Sequence, residues 1–246
     1  MKRLKFNQIV MIALAALSVV FFVLQLLIFH NLEEEAFLVF QDLTFLPIEI
    51  LLVTFILDRI LRSREKQERM EQVRIVISAF FSEMGAEALV CVGAAVKNRD
   101  VLARELDMKP GWGTKDFAAA AQAVNAVKLH AAPDADTLLR MREALSPRKG
   151  TVLQMFSNPN LLEHDTFTDM LWALYHLTDE LESREGFSAL PESDIRHLAG
   201  DVTRAYGLLA AEWVQHMRYL KERYPYLWSI AVRKNPFADN AIVVAE

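Results

Sequence analysis

Two long apolar runs near the N-terminus constrain this chain more than any other feature. Phe6 to Phe29 is almost uninterrupted by polar residues and is preceded by Lys2, Arg3 and Lys5; a second run, Leu43 to Leu61, follows after a short acidic stretch. At ~1.5 Å per residue, helices of these lengths match the ~30 Å hydrocarbon core of a bilayer. The first run is longer than the roughly 7–15 apolar residues of a cleaved signal peptide, and His30-Asn31-Leu32-Glu33 offers no small-residue cleavage site. The reading is a retained two-helix hairpin over residues 1–61, with spans at about 6–29 and 43–61 and an outer acidic loop at 30–42.

The flanks set the expected orientation. Basic residues precede the first span, and Arg59, Arg62, Arg64, Lys66 and Arg69 follow the second. The connecting segment carries Glu33, Glu34, Glu35 and Asp42 without Lys or Arg. Positive flanks stay cytoplasmic, so both termini are expected inside. The roughly 185 residues beyond the hairpin suffice for one sizeable domain. A net charge of −5 argues against a nucleic-acid partner, which requires a basic face. The single cysteine, Cys91, excludes an intrachain disulfide and fits a reducing compartment.

No proline interrupts Ile48 to Lys97, and Met70, Val73, Ile77, Phe80 and Met84 recur at spacings of three and four. That pattern predicts one long helix leaving the membrane, with a helical stalk over residues 62–98 packed along one seam. Asp107 to Gly113 breaks the chain, and Thr114 is expected to cap a helix reaching His130. Pro133 and Pro147 punctuate two shorter helices. Asn158-Pro159 is a start signal for a helix to about Arg184, and Leu190-Pro191 opens a last long helix that Pro225 ends. Residues 226–234 add a short helix and 238–246 read as a flexible tail. Strand-type alternation is absent, so the expected fold class is all-α: a transmembrane hairpin whose second span continues into a cytosolic helical bundle at 99–237.

Several segments carry a resemblance. Phe45-Leu46-Pro47-Ile48-Glu49-Ile50-Leu51-Leu52-Val53-Thr54, Phe80-Phe81-Ser82-Glu83-Met84-Gly85 and Asn158-Pro159-Asn160-Leu161-Leu162-Glu163-His164, with Tyr224-Pro225-Tyr226-Leu227 and Asn235-Pro236-Phe237, resemble a family of uncharacterised bacterial two-span membrane proteins. The resemblance implies a bacterial inner-membrane setting with a cytosolic helical domain and carries no activity with it.

Three groups of residues could carry chemistry. In the second apolar run, Glu49, Thr54 and Asp58 are candidate polar positions for a pore, and a membrane-embedded carboxylate usually faces a bundle interior or water. In a homo-oligomer, Glu49 would form an acidic ring, the outline of a cation path. The competing reading puts Glu49 near the outer surface, capping a helix opened at Pro47.

The second group lies on the helix expected from Pro159. Phe167, Met170, Leu171, Leu174, Leu177 and Leu181 mark its core face, while Asp165, Asp169, His176 and Glu180 line the opposite one. Those ligand types suit a divalent metal, and the same stripe equally reads as a solvated face.

The third group joins Glu163 and His164 to Glu212 and His216 of the last long helix as a carboxylate–imidazole metal site or a buried polar network. On that last helix His197 and Asp201 also stand one turn apart. No Ser/His/Asp arrangement, Walker-type loop or other catalytic signature is present, so no cofactor beyond a divalent metal is implied.

The leading functional reading is a non-enzymatic, homo-oligomeric, membrane-anchored helical module that engages a cytosolic or membrane protein partner. A cation channel and a metal-dependent enzyme are the alternatives.

Overall fold

The computed structural model describes residues 16–24, 27, 32–159, 161 and 164–238. The chain divides between Glu65 and Lys66 into two compact units.

In the N-terminal unit, residues 16–24 are helical, and a 49-residue helix, α1 (Leu32–Phe80), begins well before the second apolar run. The segment expected as an outer loop is therefore helical from Leu32. Leu, Glu and Ala, which open it, are strong helix formers. Pro47 lies inside α1 and opens no helix. One turn before it, Thr44 Oγ1 donates to the Phe40 carbonyl at 2.8 Å, side-chain bonding that accompanies bends and proline sites in helices. An 18-residue window of this helix has a mean hydropathy of 1.9 with none of it buried, long and apolar enough to cross a membrane. Most of the first expected span lies outside the described residues; its helical part, 16–24, is exposed.

In the C-terminal unit the seam behaves as its spacing predicts. Val73, Ile77, Phe80 and Met84 are buried, with Met70 half-buried. A π-turn, Phe81–Gly85, then interrupts the α-helical ladder before α2 (Ala86–Gly93). Consecutive residues on an α-helix diverge by about 100°; here both Phe80 and Phe81 are buried where the helix widens into the π-turn. Phe80 packs edge-on against Phe167 with centroids 5.5 Å apart, and Phe81 against Trp213 at 5.4 Å.

The remaining elements are α3 (Arg99–Glu105), α4 (Thr114–Ala126), α5 (Ala135–Leu145), a 3-10 turn (Ser146–Arg148), α6 (Lys149–Phe156), α7 (Asp165–Glu182), α8 (Glu192–Arg223) and α9 (Pro225–Arg233). Among the described residues there is no strand; one isolated bridge pairs Val96 with Ala131. Helix α4 is capped from Gly113, whose N–H donates to Asp116 Oδ2 at 2.6 Å, and it stops at Ala126 before the expected His130. Thr114 is its first helical residue and not the cap.

The start of α7 also moves. Asn158 anchors a turn, with its carbonyl accepting from Leu161 N, but the helix begins at Asp165 with His164 as its cap. His164 Nδ1 accepts from Phe167 N at 3.3 Å.

Helix α8 is the axle of the unit and touches α2, α4, α7, α9 and the π-turn. Of the core face that spacing predicts for it, Leu198, Val202, Tyr206, Leu209, Trp213 and Leu220 are buried while Ile195 and Tyr224 are half-buried; the whole predicted core face of α7 is buried. Trp228 of α9 is buried against Phe117 of α4, which makes α9 a cap on the bundle.

Gly85 allows the aromatic packing. A Cβ there would lie 2.5 Å from Phe80 and 2.6 Å from Phe81, whose rings are themselves buried and have no room to retreat. Gly85→Ala is therefore expected to lower the unfolding free energy by about 1–3 kcal/mol. Gly150→Ala, in open space on α6, is expected to raise it by about 0.4–1 kcal/mol. Urea denaturation of the two variants checks both.

Candidate functional site

The sequence-predicted polar positions of α1 remain on its exposed surface. Glu49, Thr54 and Asp58 are all exposed, and Asp58 pairs with Arg62 one turn on, at 2.8 Å, rather than with the adjacent Arg59.

Of the set Glu163, His164, Glu212 and His216, the first lies outside the described residues. The other three line a cavity of about 310 Å³, together with Arg74, Thr166 and Tyr219. Glu212 and His216 are buried, on the same edge of α8 one turn apart. The His216 ring stacks on Phe81 with centroids 5.0 Å apart, and its Nδ1 lies 3.4 Å from Ser78 Oγ. Burial lowers the His216 pKa to about 4, so the ring is neutral near neutrality. Burial also raises the Glu212 carboxyl above its ordinary range, although Thr166 and His164 act the other way. Glu212 and a neutral His216 imidazole thus form a buried polar edge of the cavity, and His164 serves as a helix cap.

The stripe on α7 is divided. Asp165 and Asp169 are exposed, whereas His176 and Glu180 turn toward α8. There they meet His197 and Asp201, and ligand atoms of His176, Glu180 and His197 all lie within 4.8 Å of one another. Asp201 Oδ2 sits 3.4 Å from His176 Nε2 and 3.3 Å from His197 Nε2, and His197 Nε2 is 3.6 Å from Glu180 Oε2.

The pairings 176 with 201, 180 with 197 and 184 with 194 run in opposite senses along the two helices, as an antiparallel hairpin requires. Arg184 closes the end of that ladder. Its guanidinium donates to both Asp194 oxygens, at 2.6 and 2.8 Å, and to Glu180 Oε2 at 2.8 Å. These contacts hold the Asp194 and Glu180 carboxyls below their ordinary range. Asp201 is the buried member, 4% exposed, and its Oδ2 makes no hydrogen bond. Both imidazoles reach solvent.

Sequence reasoning placed each half of this cluster separately. The signal that joins them is the shared spacing of four, His176 to Glu180 and His197 to Asp201, on two helices consecutive in the chain.

The molecule is thus an all-α protein in which an exposed apolar helix precedes a helical domain built around α8. Residues 2–61 match the family described as MJ1433, N-terminal helical domain, and residues 69–233 match Uncharacterized protein MJ1433, C-terminal helical domain; the chain belongs to this family. Uncharacterized protein MJ1433 of the archaeon Methanocaldococcus jannaschii is 34% identical over 244 residues, covering 98% of this chain and 97% of the relative. The sequence resemblance implied a bacterial family, whereas this relative is archaeal. No solved structure matches the chain.

The buried imidazole makes acid sensitivity calculable. A folded pKa of about 4, against about 6.5 in the unfolded chain, means that the unfolded state binds the extra proton between those values. The His216 contribution is intact above pH ~6.5 and is lost as pH falls toward ~4, by roughly 3 kcal/mol in all. Glu212 has the opposite sign, its contribution present at low pH and lost as pH rises through its raised value. Comparing wild type with His216→Gln cancels the Glu212 part. The stability advantage of wild type, from urea midpoints at several pH values, is expected to shrink steadily between pH 6.5 and 4.

Proposed function

We propose that the protein is a membrane-anchored helical module, held by its N-terminal apolar helices, with the C-terminal unit as a cytoplasmic interaction or regulatory domain. The observation that carries this reading is the apolar window of α1, none of which is buried among the described residues. Phe37, Phe40, Leu51 and Phe55 are each about two-thirds or more exposed. In water that surface would be a large unfavourable patch; in lipid it is the expected covering. Arg59, Arg62, Arg64 and Lys66 follow the apolar window and supply the positive flank that keeps this end, and the domain after it, in the cytoplasm. The apolar run at residues 6–29 provides the second crossing.

Association of copies through α1 is the natural extension of this reading. Such assembly would set Glu49 and Thr54 between helices, where a carboxylate at membrane depth finds polar partners. The absence of any recognised catalytic signature in the sequence favours an interaction role over an enzymatic one.

Full-length protein is expected to sediment with membranes and to resist carbonate extraction. Replacing Leu51 and Phe55 together with Arg, at a cost of about 2.5–3.5 kcal/mol per charge at the span centre, is expected to release a substantial fraction. Extraction of the wild-type protein by carbonate alone would overturn the anchor. Cross-linking in native membranes reads the oligomer, and strictly monomeric protein would remove that part of the proposal.

A further inference from the structure

We propose that His176, Glu180, His197 and Asp201 form a binding site for a divalent first-row metal ion, Zn²⁺ foremost, that ties α7 to α8. The donor set suits a borderline ion of this class. Two imidazoles and two carboxylates are established zinc ligands, and two carboxylate charges balance one divalent cation. The spacing fits as well. Zinc with bonds of about 2.0–2.1 Å has tetrahedral edges, from ligand atom to ligand atom, of about 3.3–3.4 Å. The three measured separations in the cluster are 3.3, 3.4 and 3.6 Å.

Asp201 supplies the independent pointer. A buried carboxylate oxygen without a hydrogen bond is costly, and Asp201 Oδ2 is buried, makes none, and is aimed between two imidazole Nε2 atoms. A cation at the centre of the cluster would satisfy it. Two other cationic groups approach the cluster. Arg204 Nη1 is 3.8 Å from Oδ1, the other Asp201 oxygen, and Arg184 shares Glu180 Oε2 while holding Asp194 with both arms. Neither takes up Asp201 Oδ2.

The backbone is already in place for binding. Each helix presents its two ligands one turn apart on a rigid α-helical frame, and the Arg184–Asp194 bracket fixes the register between them. The exposed edges of both imidazoles give the ion a route from solvent. His176, Glu180 and His197 lie within mutual reach and Asp201 Oδ2 adjoins both imidazoles, so the donors come from the protein alone, as in a structural or sensing site. The site lies wholly within the C-terminal unit, so zinc binding and membrane attachment are separable properties.

The test uses full-length protein purified in detergent, stripped with chelator and titrated with Zn²⁺ by calorimetry, with elemental analysis of the reloaded sample. The expected result is one Zn²⁺ per chain. His176→Ala and His197→Ala should each weaken binding by more than about 100-fold, and His164→Ala and His130→Ala should leave it unchanged. Both ligand imidazoles are partly exposed, so these variants should keep their helix content by circular dichroism. Saturating Zn²⁺ should raise the melting temperature of wild type by about 5–10 °C and leave the two ligand variants unmoved. Co²⁺ in the same site should show the intense visible absorption of a four-coordinate ion.

Failure of stripped wild-type protein to take up Zn²⁺, or undiminished binding by folded His176→Ala and His197→Ala, would overturn the proposal. Loss of binding in His164→Ala alone would overturn it too, placing the ion in the cavity beside Glu212.

Discussion

The packing of Phe80 and Phe81 into one core is the constraint on which the rest of the C-terminal unit depends. One ring meets α7 through Phe167 and the other meets α8 through Trp213 and His216. The chain widens by a π-turn where the two adjacent rings enter the core and has glycine where they crowd. The same choice recurs at Gly93, where a Cβ would lie 2.7 Å from the Tyr206 ring and hold α2 away from α8. At both positions a glycine gives an aromatic ring its room, Phe80 and Phe81 beside Gly85 and Tyr206 beside Gly93.

The polar groups of the unit follow from that solution. Because Phe81 stacks on His216, the imidazole is sealed from water and kept neutral, and the neighbouring Glu212 is pushed toward its neutral form. On the far side of α7, where no aromatic closes the seam, polar residues meet at an edge that water reaches. The two polar regions thus differ in their access to water because they differ in what covers them, although both are built from histidine and carboxylate.

Much of the helical plan was legible in the sequence, because 3.6-residue periodicity and proline punctuation are local signals. The core faces of α7 and α8 and the seam from Val73 to Met84 could all be read from spacing alone. Helix starts were less legible where two signals compete. Asn158-Pro159 has the right residues for a cap, yet His164 holds the first turn through its ring nitrogen, and Asp165 complements the dipole one residue later. The acidic segment at 33–35 read as a loop because its charge separates two apolar runs, whereas the same residues are strong helix formers. Pairings between helices were the least legible. Spacing shows that His176 and Glu180 share a face, and likewise His197 and Asp201, but only the register of the hairpin brings the two faces together. The π-turn was invisible, since nothing in its residues departs from ordinary helix formers except Gly85.

The order in which the chain is made gives the aromatic packing a temporal side. Phe80 and Phe81 leave the ribosome long before Trp213, and at about 5–20 residues per second the interval is on the order of ten seconds. Throughout that wait the seam of α1 and both rings lack their permanent cover. The hairpin of α7 and α8, by contrast, closes over the short connection at 183–191 and can form as soon as it is synthesised. A helix made late in the chain thus shelters the seam made early, and nascent chains stalled before α8 would present an uncovered aromatic pair to whatever holdase is at hand.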